Sequence, residues 1–450
     1  MGLKIFLMNI KIVLQRVYFD VSIFNLMKKT FISFTLCLIA VCSSFAQQTD
    51  IYTLFKPDQV FDGQQMHSGW WVLVKNKRIE AIGEPSSVKA PASAKIVELK
   101  GATLMPGMIE AHSHMFLHPY NEVSWNDQVL IESRAERTAR AVNHARATLM
   151  AGFTTARDLG TEGAMYDDVG LKTAINKGVI PGPRLLVATR AIVATGSYGP
   201  KGFNDQTEDV IPKGAEEADG IDALTRVVRS QIGHGADVVK LYADYRWGLN
   251  NTAAATFTVD ELKLAVQIAA SSGRFVAVHS GTEEGMHRAI LAGVRTIEHG
   301  DGGTPELFRM MKEKGIYLCP TISATEAILS YKGYKRGVDP EPKEIKQKHY
   351  IFSEALKAGV KILMGGDVGV FPHGDNAREM VFMVEYGMKP IDVLRSATSV
   401  NAEAFGLKDL GELKTGYLAD IIAVEGNPVN DIKAVKQVKM VMKDGVIVKD

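Results

Sequence analysis

Residues 106–114 read Pro106-Gly107-Met108-Ile109-Glu110-Ala111-His112-Ser113-His114. A short apolar run ends in two histidines spaced two apart. In an extended chain such residues project to the same side, so their imidazoles converge. A pair at this spacing can bind one divalent ion such as Zn²⁺ through ring nitrogens. The same spacing also occurs among surface and packing histidines, so the pair decides nothing alone.

Its weight comes from the pattern around it. Met108–His112 is the first of eight short apolar runs, followed by Thr154–Asp158, Arg184–Ala188, Val238–Tyr242, Phe275–His279, Thr296–His299, Tyr317–Pro320 and Lys361–Gly365. Helical stretches separate them, among them Glu132–Met150, Ala223–His234, Val259–Ser271 and Thr304–Lys314. Val259–Ser271 has Thr258 as N-cap, Glu261 three residues on, and Gly273 near its end, which are start and stop signals. Alternating strands and helices over roughly 300 residues predict an α/β chain with a (β/α)8 TIM-like barrel at 105–406. Outward from it, residues 47–104 and 407–450 hold β-rich segments such as 69–74, 78–82, 419–424, 438–442 and 446–448. Neither end can bury a core alone, so the two are expected to pair into one small composite β-sandwich domain.

Polar groups end the apolar runs. Besides His112 and His114 these are Lys240, His279, His299 and Asp367, placed at the ends of the fourth, fifth, sixth and eighth runs. Each alone reads equally as a capped or packed residue, and a lysine in an apolar strand can snorkel or pair. Together they fall on the C-terminal face of a barrel, where such enzymes carry catalytic groups.

Pro106–His114, Lys240, His279, Ile297-Glu298-His299-Gly300 and Gly365-Gly366-Asp367 resemble the amidohydrolase superfamily, in its imidazolonepropionase-like and prolidase-like branch. The resemblance covers nearly the whole chain after the first fifty residues. It implies a distorted (β/α)8 barrel holding one or two divalent metals, often zinc, with the lysine of the fourth strand carboxylated by CO2 and bridging two ions. Carried over residue by residue, His112, His114 and Asp367 hold the first metal, His279 and His299 the second, and Lys240 both. An ammonium is repelled by cations, whereas a carbamate is an anionic two-oxygen bridge. Imidazolonepropionases use a single metal without that lysine, so Lys240 argues against their activity.

The implied reaction is hydrolysis of an amide C–N bond by a metal-bridging hydroxide, with Asp367 as general base and then acid. Dipeptides, Xaa-Pro dipeptides among them, or N-acyl amino acids are the expected substrates. A cyclic amide or lactone on the same site is the alternative, and a catalytically inactive ligand-binding barrel is the alternative of another class. Tyr242, two residues past Lys240, is expected to donate to the developing oxyanion, and Arg246 to pair with a substrate carboxylate. His118 and Tyr198 complete the expected substrate-binding set. His67, His144, His234, His287 and His349 are expected to be structural.

Composition sets the frame. The 450 residues are 46% hydrophobic and 23% charged, and Lys+Arg 52 against Asp+Glu 51 leaves a formal charge of +1. That balance gives no field to gather nucleic acid or anionic lipid, so the expected partner is a small molecule, with homo-oligomers left open. From Met27 the chain reads as an export signal over 27–46, with Lys28 and Lys29, an apolar run and Ala46, within a leader of 1–46. The apolar run is too short for a stable membrane span. The expected location is periplasmic or extracellular, a lipid anchor on Cys42 being the rival. Of three cysteines, Cys37 and Cys42 leave with the signal and Cys319 remains, so no internal disulfide is expected.

Overall fold

The computed structural model describes residues 50–207 and 210–450, together with scattered helical positions between residues 2 and 28. All of the expected export signal after Lys28, Cys42 included, lies outside the described residues. Residues 1–51 are a unit of their own, and Tyr52–Asp450 is one compact unit. No helix among the described residues is long and apolar enough to cross a membrane.

The unit begins with β1 (Tyr52–Phe61), β2 (Met66–Ser68), β3 (Trp71–Lys75), β4 (Arg78–Gly83) and β5 (Lys95–Pro106). Then come β6 (Met108–Ser113), β7 (Phe153–Asp158), β8 (Arg184–Val187), β9 (Ile192–Val193) and β10 (Glu216–Glu217). The second half of the middle section holds β11 (Val239–Tyr242), the hairpin β12 (Asp244–Arg246) and β13 (Ala253–Ala255), β14 (Val276–Ser280), β15 (Thr296–His299) and β16 (Tyr317–Cys319). The chain closes on β17 (Ile421–Glu425), β18 (Val438–Lys443) and β19 (Val446–Lys449).

Both ends share one eight-stranded sheet in the order β19-β18-β17-β5-β1-β3-β4, with β2 on β1. The join is β17 against β5, antiparallel from Ile421↔Pro106 to Glu425↔Ala102. Phe55, Val60, Leu104, Ile421, Ala423 and Met440 from the two ends bury one another in a common cluster. Alternating apolar residues that neither end can cover alone thus find cover across the join.

Apart from the antiparallel β12–β13 hairpin, the middle section is parallel. β6-β7-β8 form one sheet, and β10-β9-β11-β14-β15-β16 another. Strand ends agree with the sequence reading to within one or two residues, as do the expected helices other than Ala223–His234. Arg134–Met150 is capped by Ser133, Pro305–Lys314 by Thr304, and Val259–Ser271 carries the full capping box of Thr258 and Glu261. Gly220–His234 starts three residues earlier than expected.

The eighth run, Lys361–Gly365, is a correction, because it forms no strand. The run and the residues just after it touch their neighbours through isolated parallel bridges, Leu318↔Ile362 and Ser113↔Val368. Gly365 explains the interruption: a Cβ there would lie 2.6 Å from Cys319 Sγ and 2.8 Å from the His112 nitrogen. The backbone passes too close to β6 for any side chain, and then turns through Asp367 at φ 63°. Hydrogen bonds still tie the segment to β6, from the Ala111 nitrogen to the Met364 carbonyl at 3.0 Å and from the Asp367 nitrogen to the His112 carbonyl at 2.9 Å.

Candidate active site

Five of the six expected metal ligands, His112, His114, His279, His299 and Asp367, line one cavity of about 550 Å³. The imidazole centroids are 5.3 Å apart for His112 and His114, 5.2 Å for His112 and His299, and 4.5 Å for His279 and His299. Asp367 Oδ1 sits 3.5 Å from His112 Nε2 and 3.3 Å from His114 Nε2. The sixth, Lys240, is buried within β11, its Nζ 5.5 Å from the Tyr242 ring centroid. Among the described residues Lys240 Nζ makes no ion pair and no hydrogen bond.

Supporting groups fix which nitrogens face the common space. His112 Nδ1 meets Glu298 Oε2 at 3.0 Å, His114 Nδ1 meets the Gly160 carbonyl at 2.9 Å, and His299 Nδ1 meets Thr321 Oγ1 at 2.8 Å. Each Nδ1 is thereby occupied, leaving Nε2 for another partner. Glu298 in turn is held by Arg157, whose Nη2 donates to Oε1 at 2.8 Å and whose Nη1 donates to Thr296 Oγ1. Glu298 and Thr296 stand two apart on β15, so one buried guanidinium reaches both. Glu298 is held below the usual carboxylate range: burial opposes this, but Arg157 and the bond to His112 outweigh it.

The donor set fits divalent metal. Burial lowers His112 and His279 to about 4 and drives His299 well below its ordinary value, so all three present neutral rings. Burial opposes ionisation of Asp367, yet the His112 and His114 rings bring it down to about 2. His114, whose burial disfavours a proton, is raised to about 9 by Asp367, and a bound cation would displace that proton. Asp367 Oδ1 is buried and accepts no hydrogen bond. One ligand atom each from His112, His299 and Asp367 lies within 4.8 Å of the others. His299 and Asp367 both adopt left-handed backbone, φ 72° and 63°, a strain that persists where the surroundings over-determine it. Lys348 supplies part of that constraint, donating to the carbonyls of Pro320 at 2.7 Å and His299 at 3.2 Å and pairing with Asp301.

Of the expected substrate residues, Tyr242, Tyr198 and Arg246 line the cavity. Tyr242 stacks on His279 with centroids 4.6 Å apart and points its hydroxyl toward Glu162 Oε1 at 3.5 Å. His118 does not line it, which corrects the sequence reading. Its ring is clamped between Glu122 Oε2 at 3.0 Å and Glu132 Oε1 at 2.8 Å, so two carboxylates hold it away from the cavity. The histidines expected to be structural pack elsewhere: His67 on Trp70, His144 on His373, His234 on Tyr166 and His349 on Tyr386.

Glu162, Asp244 and Lys332 are among the cavity residues that escaped the sequence reading. Glu162 accepts from the Tyr198 hydroxyl and from Trp125 Nε1 at 2.9 Å, and its left-handed backbone (φ 49°) is secured by Arg137 donating to its carbonyl at 2.7 Å. Asp244 and Lys332 also line the cavity. Glu162 and Lys332 lie in loops beyond the strand ends, where no periodicity marks them. Asp244 had a signal, standing two and four residues past Tyr242 and Lys240.

A strand-end cluster with this geometry is what the family comparison then accounts for: residues 103–448 match the Amidohydrolase family model. The chain belongs to the amidohydrolase family. Among curated relatives, ochratoxinase of Aspergillus niger is 33% identical over 365 residues, covering 75% of this chain and 73% of that protein. Among solved structures, a Xaa-Pro dipeptidase with bound methionine in the active site superposes with a TM-score of 0.76 at 31% identity, covering 89% of this amidohydrolase and all of the dipeptidase chain (100%). A prolidase complexed with N-methylphosphonate-L-proline gives 0.74 at 26% identity, covering 88% and 99%. This amidohydrolase is a hydrolase acting on C–N bonds.

Proposed function

We propose that this amidohydrolase cleaves the amide bond of N-acyl amino acids or dipeptides, Xaa-Pro dipeptides among them, at a site holding two divalent metals, zinc by preference. The observation that carries this is the convergence of His112, His114, His279, His299 and Asp367 on one cavity above a buried, unpaired lysine. His112, His114 and Asp367 would hold one ion, His279 and His299 the other, and Lys240 both as a carbamate. An unpaired ammonium is costly in the interior, and burial lowers the Lys240 pKa. The neutral amine is then able to attack CO2, forming an N–C bond and losing a proton to leave the anionic bridge. When bound, the metals supply a polarised carbonyl and an acidified water.

The chain's own groups do the rest. Asp367 takes the proton of the attacking water and returns it to the amide nitrogen as the C–N bond breaks. The Tyr242 hydroxyl, kept neutral by burial well above the ordinary tyrosine range, donates to the carbonyl oxygen as charge develops there. Arg246 at the mouth pairs with the carboxylate of the departing amino acid. Trp125, Tyr198 and Tyr245 wall the path with aromatic faces.

The parallel strands are read as one (β/α)8 barrel, supported by the bridges from β16 and β6 onto residues 362 and 368 and by the pairing of β9 with β11. The mixed sheet of both ends is read as the small composite β-sandwich domain. Export through residues 27–46 is proposed on the lysine pair, the apolar run and Ala46, and N-terminal sequencing of protein recovered outside the cytoplasm tests it. A panel of dipeptides, N-acyl amino acids and lactones tests the activity. Release of free amino acid from the amides supports it, and turnover of lactones alone overturns it.

A further inference from the structure

The charged groups facing the cavity, other than the candidate ligands, divide by sign. Every acid is already answered from within the protein. Glu162 accepts from Trp125 and Tyr198. Asp244 accepts from Ser280 Oγ at 2.7 Å, the Gly281 nitrogen at 2.9 Å, and the Thr282 nitrogen and hydroxyl at 2.9 and 2.7 Å. Asp301 pairs with Lys348. The two cations are not answered. Arg246 and Lys332 line the same cavity, are exposed, and have no ion pair or side-chain hydrogen bond among the described residues.

These cations approach from different parts of the rim. Arg246 ends β12, just past β11, whereas Lys332 follows the helix Ile322–Tyr331 that comes after β16. β14 and β15 lie between β11 and β16 in the sheet. At about 4.8 Å between neighbouring strands, β11 and β16 stand roughly 14 Å apart measured along the sheet. The wall beside them is apolar and aromatic, with Tyr245, Ala253, Ala324 and Ile328. The cavity therefore offers a ligand two separate cations with no ion pair or side-chain hydrogen bond among the described residues, whereas its acids already accept from groups within the protein.

We infer that the preferred substrate carries two anionic groups, one on each side of the scissile amide. The carboxylate of the amine half meets Arg246, and a second carboxylate on the acyl half meets Lys332. Which half lies where rests on the amide-hydrolase reading above, while the pairing of two cations with two anions rests on the cavity alone. Both cations are solvated at the rim, so each pair is worth a modest factor, roughly threefold to tenfold in affinity at low salt.

The test compares N-succinyl-L-phenylalanine with N-(4-methylpentanoyl)-L-phenylalanine, in which two methyl groups replace the two oxygens of the second carboxylate at nearly the same shape. Binding by calorimetry and release of phenylalanine are both read, with the full-length, metal-supplemented protein. The wild type is expected to bind the succinyl compound roughly threefold to tenfold more tightly. In Lys332→Ala that ratio falls to about one, whereas in Arg246→Ala it persists while both compounds bind more weakly. Equal binding of the two by the wild type overturns the inference. So does Lys332→Ala weakening both compounds alike, since the two cations would then share one carboxylate. Phenylalanine release without preference sinks the inference and leaves amide hydrolysis standing. Preferential binding of the succinyl compound with no release from either does the reverse.

Discussion

Glu298 joins His112 to Arg157: its Oε2 lies 3.0 Å from His112 Nδ1 while its Oε1 accepts from Arg157 Nη2 at 2.8 Å, all three groups buried. The carboxylate fixes the tautomer of a candidate ligand, and the guanidinium keeps it ionised. Glu298→Gln preserves the shape but weakens both links, and about a 10- to 100-fold loss of metal affinity is expected. Glu298→Ala strands a buried guanidinium and is expected to cost about 3–5 kcal/mol of stability. Metal titration of the first variant and denaturant unfolding of the second check these outcomes.

Tyr242 faces the reacting carbonyl in the proposed arrangement, with its ring stacked on His279. Removal of its hydroxyl in Tyr242→Phe leaves the stacking intact. The expected result is a fall in kcat of about 10²- to 10³-fold with KM little changed. A change confined to KM would show that the hydroxyl only binds substrate.

Lys348 donates to the carbonyls of Pro320 and His299, beside the left-handed residues His299 and Thr321. Lys348→Met keeps most of the side-chain volume but leaves buried acceptors unmatched, for which about 2–4 kcal/mol of destabilisation is expected. Thermal unfolding measures the loss, and Lys348→Arg is expected to recover part of it.

Arg184 on β8 donates to Asp444 Oδ1 at 2.7 Å, tying the C-terminal hairpin to the parallel strands. Burial opposes ionisation of Asp444, but Arg184 holds its pKa below the ordinary aspartate value. Its stabilisation is therefore complete above about pH 4, the unfolded aspartate value, and lost as pH falls through the depressed native value. Asp444→Asn is expected to cost about 1 kcal/mol at pH 7, with the difference from wild type shrinking under acid. Unfolding curves at several pH values give the comparison; a gap that widens under acid would reverse the sign.

Much of this was legible from strand ends. The apolar runs closing on His112, His279 and His299 are strands in which the polar residue is the last or nearly the last, His114 follows the end of β6, and Lys240 sits within the short β11, so period and position both pointed at them. Thr258 and Glu261 likewise marked a helix start through local chemistry alone. The eighth run misled because its apolar residues suit a strand while Gly365 serves a backbone approach too close for a side chain, which depends on β6 far away in sequence. His118 misled because its two partners lie 4 and 14 residues away, on segments whose return path no pattern revealed. Glu162 and Lys332 come from loops, whose placement follows from long-range packing rather than from any repeat. Glu298 was in plain sight beside His299, but its use emerges only with Arg157, 141 residues away.

The central claim is a pair of divalent metals bridged by Lys240 in an amide hydrolase. Divalent metal per chain should be measured for wild type and Lys240→Ala, both purified with added metal and bicarbonate, alongside release of free amino acid from N-acyl amino acids and dipeptides. The account predicts about two equivalents with turnover in the wild type, and loss of at least one equivalent together with turnover in Lys240→Ala. A wild type that binds no metal and releases no amino acid, or a Lys240→Ala variant with undiminished metal and turnover, would contradict it.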